Sequence, residues 1–187
     1  MQQNEPEKKP PYDKKEEILF KNKRYRIYNN YLTGGRGLLA STKQLSGQDA
    51  FGLDYNFHVR RHYLQTGLLL SGEGISAAND AQIHACYGFR EEHNYTNLAL
   101  FGGPSLFTGV TGQPGVTDPK LYAGVGGYFA FQAVFKFKYD IGLGFDIFAD
   151  LGTSRNIGGF RIILFFSSAY RGLKGNYNPH VRSENQR

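Results

Sequence analysis

Three side chains of this chain have the types that acid–base chemistry uses: Asp54, His84 and Asp146. A histidine beside a carboxylate can serve as a general base, and two carboxylates in different surroundings can divide the acid and base roles. Brought together inside one body, the same three would equally make a packed set of ion pairs, and that is the reading adopted below. The other candidates are weaker. Gly72-Glu73-Gly74-Ile75-Ser76-Ala77 spells a dinucleotide fingerprint, but no helix follows to receive a phosphate. His58, His62, His84, His93 and His180 are scattered, and no two have metal-ligand spacing. No catalytic residue, cofactor or metal is therefore expected.

The elements that position these residues are strands. Ile141, Leu143, Phe145, Ile147, Ala149 and Leu151 alternate with Gly142, Gly144, Asp146, Phe148 and Asp150. Successive strand side chains point to opposite faces, so one face is apolar and the other small or charged. Similar alternation runs through 48–58, 62–71, 81–90, 95–107, 120–137 and 158–170, and less clearly through 25–40. Gly102-Gly103-Pro104 predicts a bulge or an early end in the fifth strand. The reading is an all-β, eight-stranded antiparallel up-and-down barrel over residues 25–170. A soluble lipid-binding barrel would turn the apolar face inward; a transmembrane barrel turns it outward.

Composition agrees with strands: 24 Gly, 13 Tyr and 15 Phe among 187 residues. No run of roughly 18 apolar residues suggests a transmembrane helix. Cys86 is the single cysteine, so no internal disulfide forms. Met1-Gln2-Gln3-Asn4 lacks the apolar segment of a signal peptide, so an exported protein would have lost its signal already. Residues 1–24 are a charged, proline-bearing tail, and 171–187 are a basic one. Neither carries enough apolar surface to fold alone. Lys8, Lys9, Lys14, Lys15, Arg171, Lys174 and Arg182 are candidate partner-binding residues in them.

The joints suggest an orientation. Connections two, four and six read as short, and one, three, five and seven as about 7, 9, 12 and 6 residues. Membrane barrels have short periplasmic turns and longer outer loops, so both tails would be periplasmic. Tyr55, Phe57, Tyr63, Tyr87, Phe89, Tyr95, Phe135, Phe137, Phe166 and Tyr170 map to the short-turn end as an interface girdle. Asp54, Gln65, Gln82, His84, Arg90, Asn97, Gln132, Lys136, Asp146, Asp150 and Arg161 share the opposite strand face. A barrel of about eight strands is only wide enough for its own side chains. These residues should form a polar plug and leave no pore.

On these patterns the body resembles the small eight-stranded outer-membrane barrels of the OmpA/OmpX type. Gly158-Gly159-Phe160-Arg161-Ile162-Ile163-Leu164-Phe165-Phe166 resembles the closing strand that the barrel-assembly machinery recognises in that family. One departure is that Tyr170 is followed by 17 polar, basic residues. The resemblance implies a fold and a Gram-negative outer-membrane location, and leaves function open.

A lipid-modifying barrel enzyme would need a histidine with a serine or acid at the outer rim. Ser71, Asp80, Asp150 and Ser154 map there, but no histidine does. The net charge of +6 gathers at the other end through Arg60, Arg61, Lys136, Lys138, Arg171 and Lys174. Anionic lipid head groups or an acidic partner suit these better than nucleic acid. The expected function is a non-enzymatic outer-membrane barrel, an accessory subunit of a larger export, insertion or uptake complex. Its partners would be outer-membrane lipid and larger outer-membrane or periplasmic proteins held through the tails. The alternatives are a stand-alone barrel binding ligands or surfaces through its outer loops, or a lipid-modifying enzyme.

Overall fold

The computed structural model describes residues 17–59, 62–72, 78–111 and 120–173. Two short strands come first, β1 (Glu17–Phe20) and β2 (Lys23–Arg26). Eight longer ones follow: β3 (Tyr31–Ser41), β4 (Gln44–Val59), β5 (His62–Gly72), β6 (Ala78–Glu92), β7 (Thr96–Thr111), β8 (Lys120–Lys138), β9 (Ile141–Gly152) and β10 (Asn156–Ser167). These eight close into an antiparallel barrel, each strand beside its sequence neighbour and β10 beside β3. β11 (Tyr170–Leu173) joins β2 and β1 in a separate three-stranded sheet.

The polarity of the barrel is inverted relative to a soluble one. Leu53, Ile83, Phe129, Phe145, Ile147, Ile162 and Leu164 stand exposed on its outside. Asp54, His84, Gln132, Lys136, Asp146 and Arg161 are buried within it. Water would not tolerate that exterior, whereas hydrocarbon would, and closing the sheet removes every unpaired edge. A soluble lipid-binding barrel has the opposite arrangement.

The interior is not wholly polar. Tyr31, Phe101, Tyr128, Phe148 and Phe165 are buried among the ionic groups, with Leu39, Ile163 and the free thiol of Cys86. Aromatic rings fill the volume that short polar side chains would leave empty.

Several expectations are corrected. The first connection is the two-residue turn Thr42-Lys43, not a loop of about 7, and the seventh is Thr153-Ser154-Arg155. The ladder there is made of backbone groups, so it runs past the last alternating side chains: Leu39 pairs with Gln48 and, beyond a bulge, Ser41 with Gln44. The regular long–short alternation of joints therefore does not hold. Longer joints remain only at 73–77 and 112–119, at the end away from the termini.

β7 runs unbroken through Gly102-Gly103-Pro104. Its pairing with β6 lapses there, between Ser105 and Gly102, and resumes in the same register. Proline has no N–H to give the ladder, which accounts for the gap. Tyr25 lies in β2 and Tyr170 in β11, so neither belongs to the first or eighth barrel strand. β1 starts at Glu17, inside the stretch read as a tail. Residues 73–77 of the glycine fingerprint, the turn at Arg60-Arg61, and Lys8, Lys9, Lys14, Lys15, Lys174 and Arg182 lie outside the described residues; of Arg171 only the backbone is described.

Candidate functional site: the barrel interior and its capped mouth

The buried groups form three tiers along the barrel axis. The middle tier centres on Arg161 of β10. Its Nη2 donates to Asp54 Oδ2 at 3.0 Å and to Asp146 Oδ2 in a short contact. Asp146 is Arg161's direct cross-strand partner on β9, whereas Asp54 reaches it from β4. The other oxygen of Asp54 lies 2.9 Å from His84 Nε2, and the imidazole stacks on Tyr128 with ring centres 4.0 Å apart. Asp54 thus bridges a histidine and an arginine.

Two glycines make room for this tier. A Cβ added at Gly52 would fall 1.2 Å from Arg161 Nη1. One at Gly67 would fall 2.1 Å from Asp54 Oδ1 and 2.4 Å from His84 Nε2. Gly67 stands between Asp54 and His84 in the register, and the ion pair passes over the space its missing side chain leaves.

The tier at the terminal end is built on Glu92, whose carboxylate lies 2.9 Å from both Arg90 Nη2 and Lys136 Nζ. The Arg90 guanidinium is held between the rings of Tyr31, 4.5 Å from its centre, and Tyr63 and Phe165. It donates to Asn97 Oδ1 at 2.8 Å and to the Tyr63 hydroxyl at 3.1 Å. Tyr63 is fully buried, so it leaves the girdle to which its position near a turn assigned it. In the third tier, Arg155 donates to Asp80 at 2.6 Å and to Gln82 at 2.8 Å. The Tyr122 hydroxyl donates to the same Asp80 oxygen at 2.7 Å, and Ser105 donates to Asp150 at 2.7 Å.

Sequence reasoning missed Glu92, Arg155, Tyr31 and Tyr63 as interior groups, and gave Tyr122 and Tyr128, which share the strand face of Gln132 and Lys136, no part in the plug. Glu92 and Arg155 sit at strand ends, where turn and loop signals hide them. Tyr128 does fall in the inward phase of its strand, and that was the available signal.

The terminal mouth is covered. β1 turns into β2 through Lys21 and Asn22, both at positive φ (48° and 61°), the hand that two-residue hairpins prefer. Phe20, Tyr25, Tyr139 and Ala169 form a second apolar cluster, partly flanked by Ile18. Tyr25 stacks on Tyr139 of the β8–β9 turn at 4.5 Å, and Phe20 meets Tyr95 edge-on at 5.1 Å. Arg26 N–H donates to Ala169 C=O at 2.7 Å, and Ala169 N–H to Asp140 Oδ1 at 2.9 Å. Burial raises the Tyr139 phenol above its ordinary range, with Glu92 adding to the effect. Tyr25 is raised as well, by burial first and then by Asp140 and Tyr170.

Tyr55, Phe57, Tyr87, Phe89, Tyr95, Phe135, Phe137 and Phe166 stand outward on the barrel at this end, and Tyr170 stands exposed on the cap sheet. His62 packs its ring against Tyr87 and Phe89, and His58 against Tyr28. Among the described residues, no group of three His, Cys, Asp or Glu is placed to hold a metal.

These features define a class: a closed, inside-out, eight-stranded barrel whose lumen is filled by its own side chains. Solved structures with this architecture are small outer-membrane barrels. Neisserial surface protein A superposes with a TM-score of 0.58 at 8% identity, covering 74% of this chain and 97% of that one. The N-terminal β-barrel domain of OprF from Pseudomonas aeruginosa gives 0.54 at 7% identity, covering 74% and 98%. Ail, the attachment invasion locus protein of Yersinia pestis, in complex with the heparin analogue sucrose octasulfate, gives 0.53 at 8% identity, covering 77% and 99%. At such identities the likeness is one of fold. No protein-family model matches the chain, and no curated protein matches it in sequence.

Proposed function

We propose that this chain is an integral outer-membrane β-barrel that neither conducts nor catalyses, and that it serves as an accessory subunit of a larger outer-membrane assembly for export, insertion or uptake. The observation that carries this reading is the capped mouth. Strands from both ends of the chain, β1–β2 and β11, are tied into one sheet over the barrel end. The charged segments 1–16 and 174–187 thereby continue from the two outer strands of this sheet, β1 and β11. A barrel with a filled lumen has little to transport by itself, and two charged arms at one mouth suit contact with neighbours. In this reading the capped end faces the periplasm, and Lys8, Lys9, Lys14, Lys15, Lys174 and Arg182 are the first contacts to test.

Asp54 and His84 support structure rather than catalysis here. The imidazole is buried, stacked on Tyr128, and its carboxylate partner is shared with an arginine. A general base needs a path to its substrate, and this one is walled in.

The test is a mild-detergent pull-down from native membranes through a tag after Arg187. Stoichiometric large outer-membrane partners are expected, and deleting 1–16 or 174–187, which leaves the cap sheet intact, should release them. A lone barrel would refute the subunit reading and direct attention to the joints 73–77 and 112–119.

A further inference from the structure

Among the described residues, the outside of the barrel carries one ion pair away from the ends of the strands that bear it. Arg36 points outward from β3, five residues from Tyr31 and five from Ser41. Its cross-strand neighbours are Phe51, near the middle of β4, and Ile162, near the middle of β10. The guanidinium therefore stands at mid-height of the apolar belt, with 65% of its side chain exposed. Its Nη2 donates to Asp49 Oδ2, and Asp49 is 29% exposed on β4, diagonally across from Arg36. Gly34 floors a groove beside the pair, and Leu38, Phe160, Ile162 and Leu164 wall it.

Hydrocarbon is a poor neighbour for this pair. A charged side chain on the lipid face destabilises a barrel most at the midplane. Guanidinium has five N–H donors, and Asp49 takes one nitrogen; among the described residues no other acceptor in the chain serves Arg36. Lipid tails offer none. Head-group phosphates lie at the membrane surfaces, whereas Arg36 is midway between them. A second copy of this chain, related by an axis along the membrane normal, would set Arg36 against Arg36 at the same height and bring donors with its acceptors.

We propose that the outward face of β10, β3 and β4 around Arg36 is not a lipid surface but the seat of a second integral membrane protein, one that presents a carboxylate or carbonyl acceptor at mid-membrane depth. This rests on the subunit reading and specifies where in the membrane the partner sits. Gly34 lets the partner's chain approach closely, and the paired Asp49 keeps Arg36 oriented until it does.

The test places a photo-crosslinking benzoylphenylalanine at Leu38, beside the groove, and separately at Leu100 on β7, across the barrel, in the full-length protein in native membranes. A protein adduct is expected from Leu38 and not from Leu100, with the crosslink mapping to a membrane-embedded residue of the partner. Combining the Leu38 probe with Arg36→Leu and Asp49→Leu together, which leaves no lone charge, should lower the adduct at least about tenfold. Heat-modifiable gel migration checks that this variant still folds. Lipid adducts alone would overturn the proposal, as would a crosslink between two copies of this chain or an adduct that survives the double substitution. If partners co-purify in the pull-down while Leu38 gives no protein adduct, this inference fails and the subunit reading stands. If nothing co-purifies, both fail.

Discussion

Arg161 and Asp54, 107 positions apart in the chain, meet at 3.0 Å inside the barrel. They lie on β10 and β4, which are not neighbours, with β3 between them. The contact therefore passes over the inner face of β3 and locks non-adjacent strands together. Truncating one partner of a buried ion pair leaves a charge without compensation and costs about 3–5 kcal/mol. Arg161→Met, which leaves Asp146 uncompensated and Asp54 with only its His84 contact, should lower stability by about that much in urea unfolding from lipid vesicles. Replacing all three with neutral side chains (Arg161→Met, Asp54→Asn, Asp146→Asn) should cost less than the single change. If the single variant is as stable as the parent, the central tier does not hold the barrel.

The glycines opposite this tier give a finer test. Gly67→Ala would drive a methyl group to 2.1 Å from Asp54 Oδ1 and force apart the Asp54–His84 pair. Overpacking of this kind costs about 1–3 kcal/mol. Gly158→Ala is the matched control, since its nearest non-neighbouring atom would be 4.0 Å away. The first should unfold at lower urea and the second within error of the parent; equal behaviour would mean the interior yields readily.

Strand phase was legible in the sequence because a barrel imposes one rule on every strand, alternate residues in and out. Asp146 against Ile147 and Arg161 against Ile162 state it plainly. What the phase cannot carry is pairing between strands that are not neighbours. Nothing near Asp54 in the chain points to residue 161. Glu92 and Arg155 were hidden in joints, where alternation stops although backbone pairing continues. The cap sheet was hidden for a different reason. Ile18, Phe20 and Tyr25 are few among Glu17, Lys21, Lys23 and Arg24, and their apolar partner Tyr139 belongs to a distant turn. Local composition reads solvated where a tertiary contact decides.

The filled lumen predicts electrical silence. Arg90, Tyr31, Tyr63 and Glu92 occupy one end, Arg161 and Tyr128 the middle, and Arg155, Asp80 and Tyr122 the other. Purified protein in a planar bilayer should show no channel events under conditions where a porin conducts. Steady single-channel steps that vanish on heat denaturation would contradict the packed interior.

The cap should loosen in alkali. The phenols of Tyr25 and Tyr139 are raised above the ordinary value of 10.0 because the docked sheet withholds water from the phenolate. Once undocked, each phenol returns toward 10.0 and gives up its proton more readily. The undocked form therefore binds fewer protons above that pH, so docking is fully stable below about 10 and weakens as the pH climbs from there toward the raised docked values. Hydrogen exchange at the Arg26 amide, which donates to Ala169, reports docking directly, after correction for base-catalysed chemical exchange. Protection there should fall above about pH 10 while that of the barrel amides Phe129 and Phe145 persists. Replacing both rings (Tyr25→Phe and Tyr139→Phe) keeps the stacked contact and removes the ionisable groups, so the alkaline transition should disappear. If it persists in that variant, the transition belongs to other groups and the cap is not held by neutral phenols.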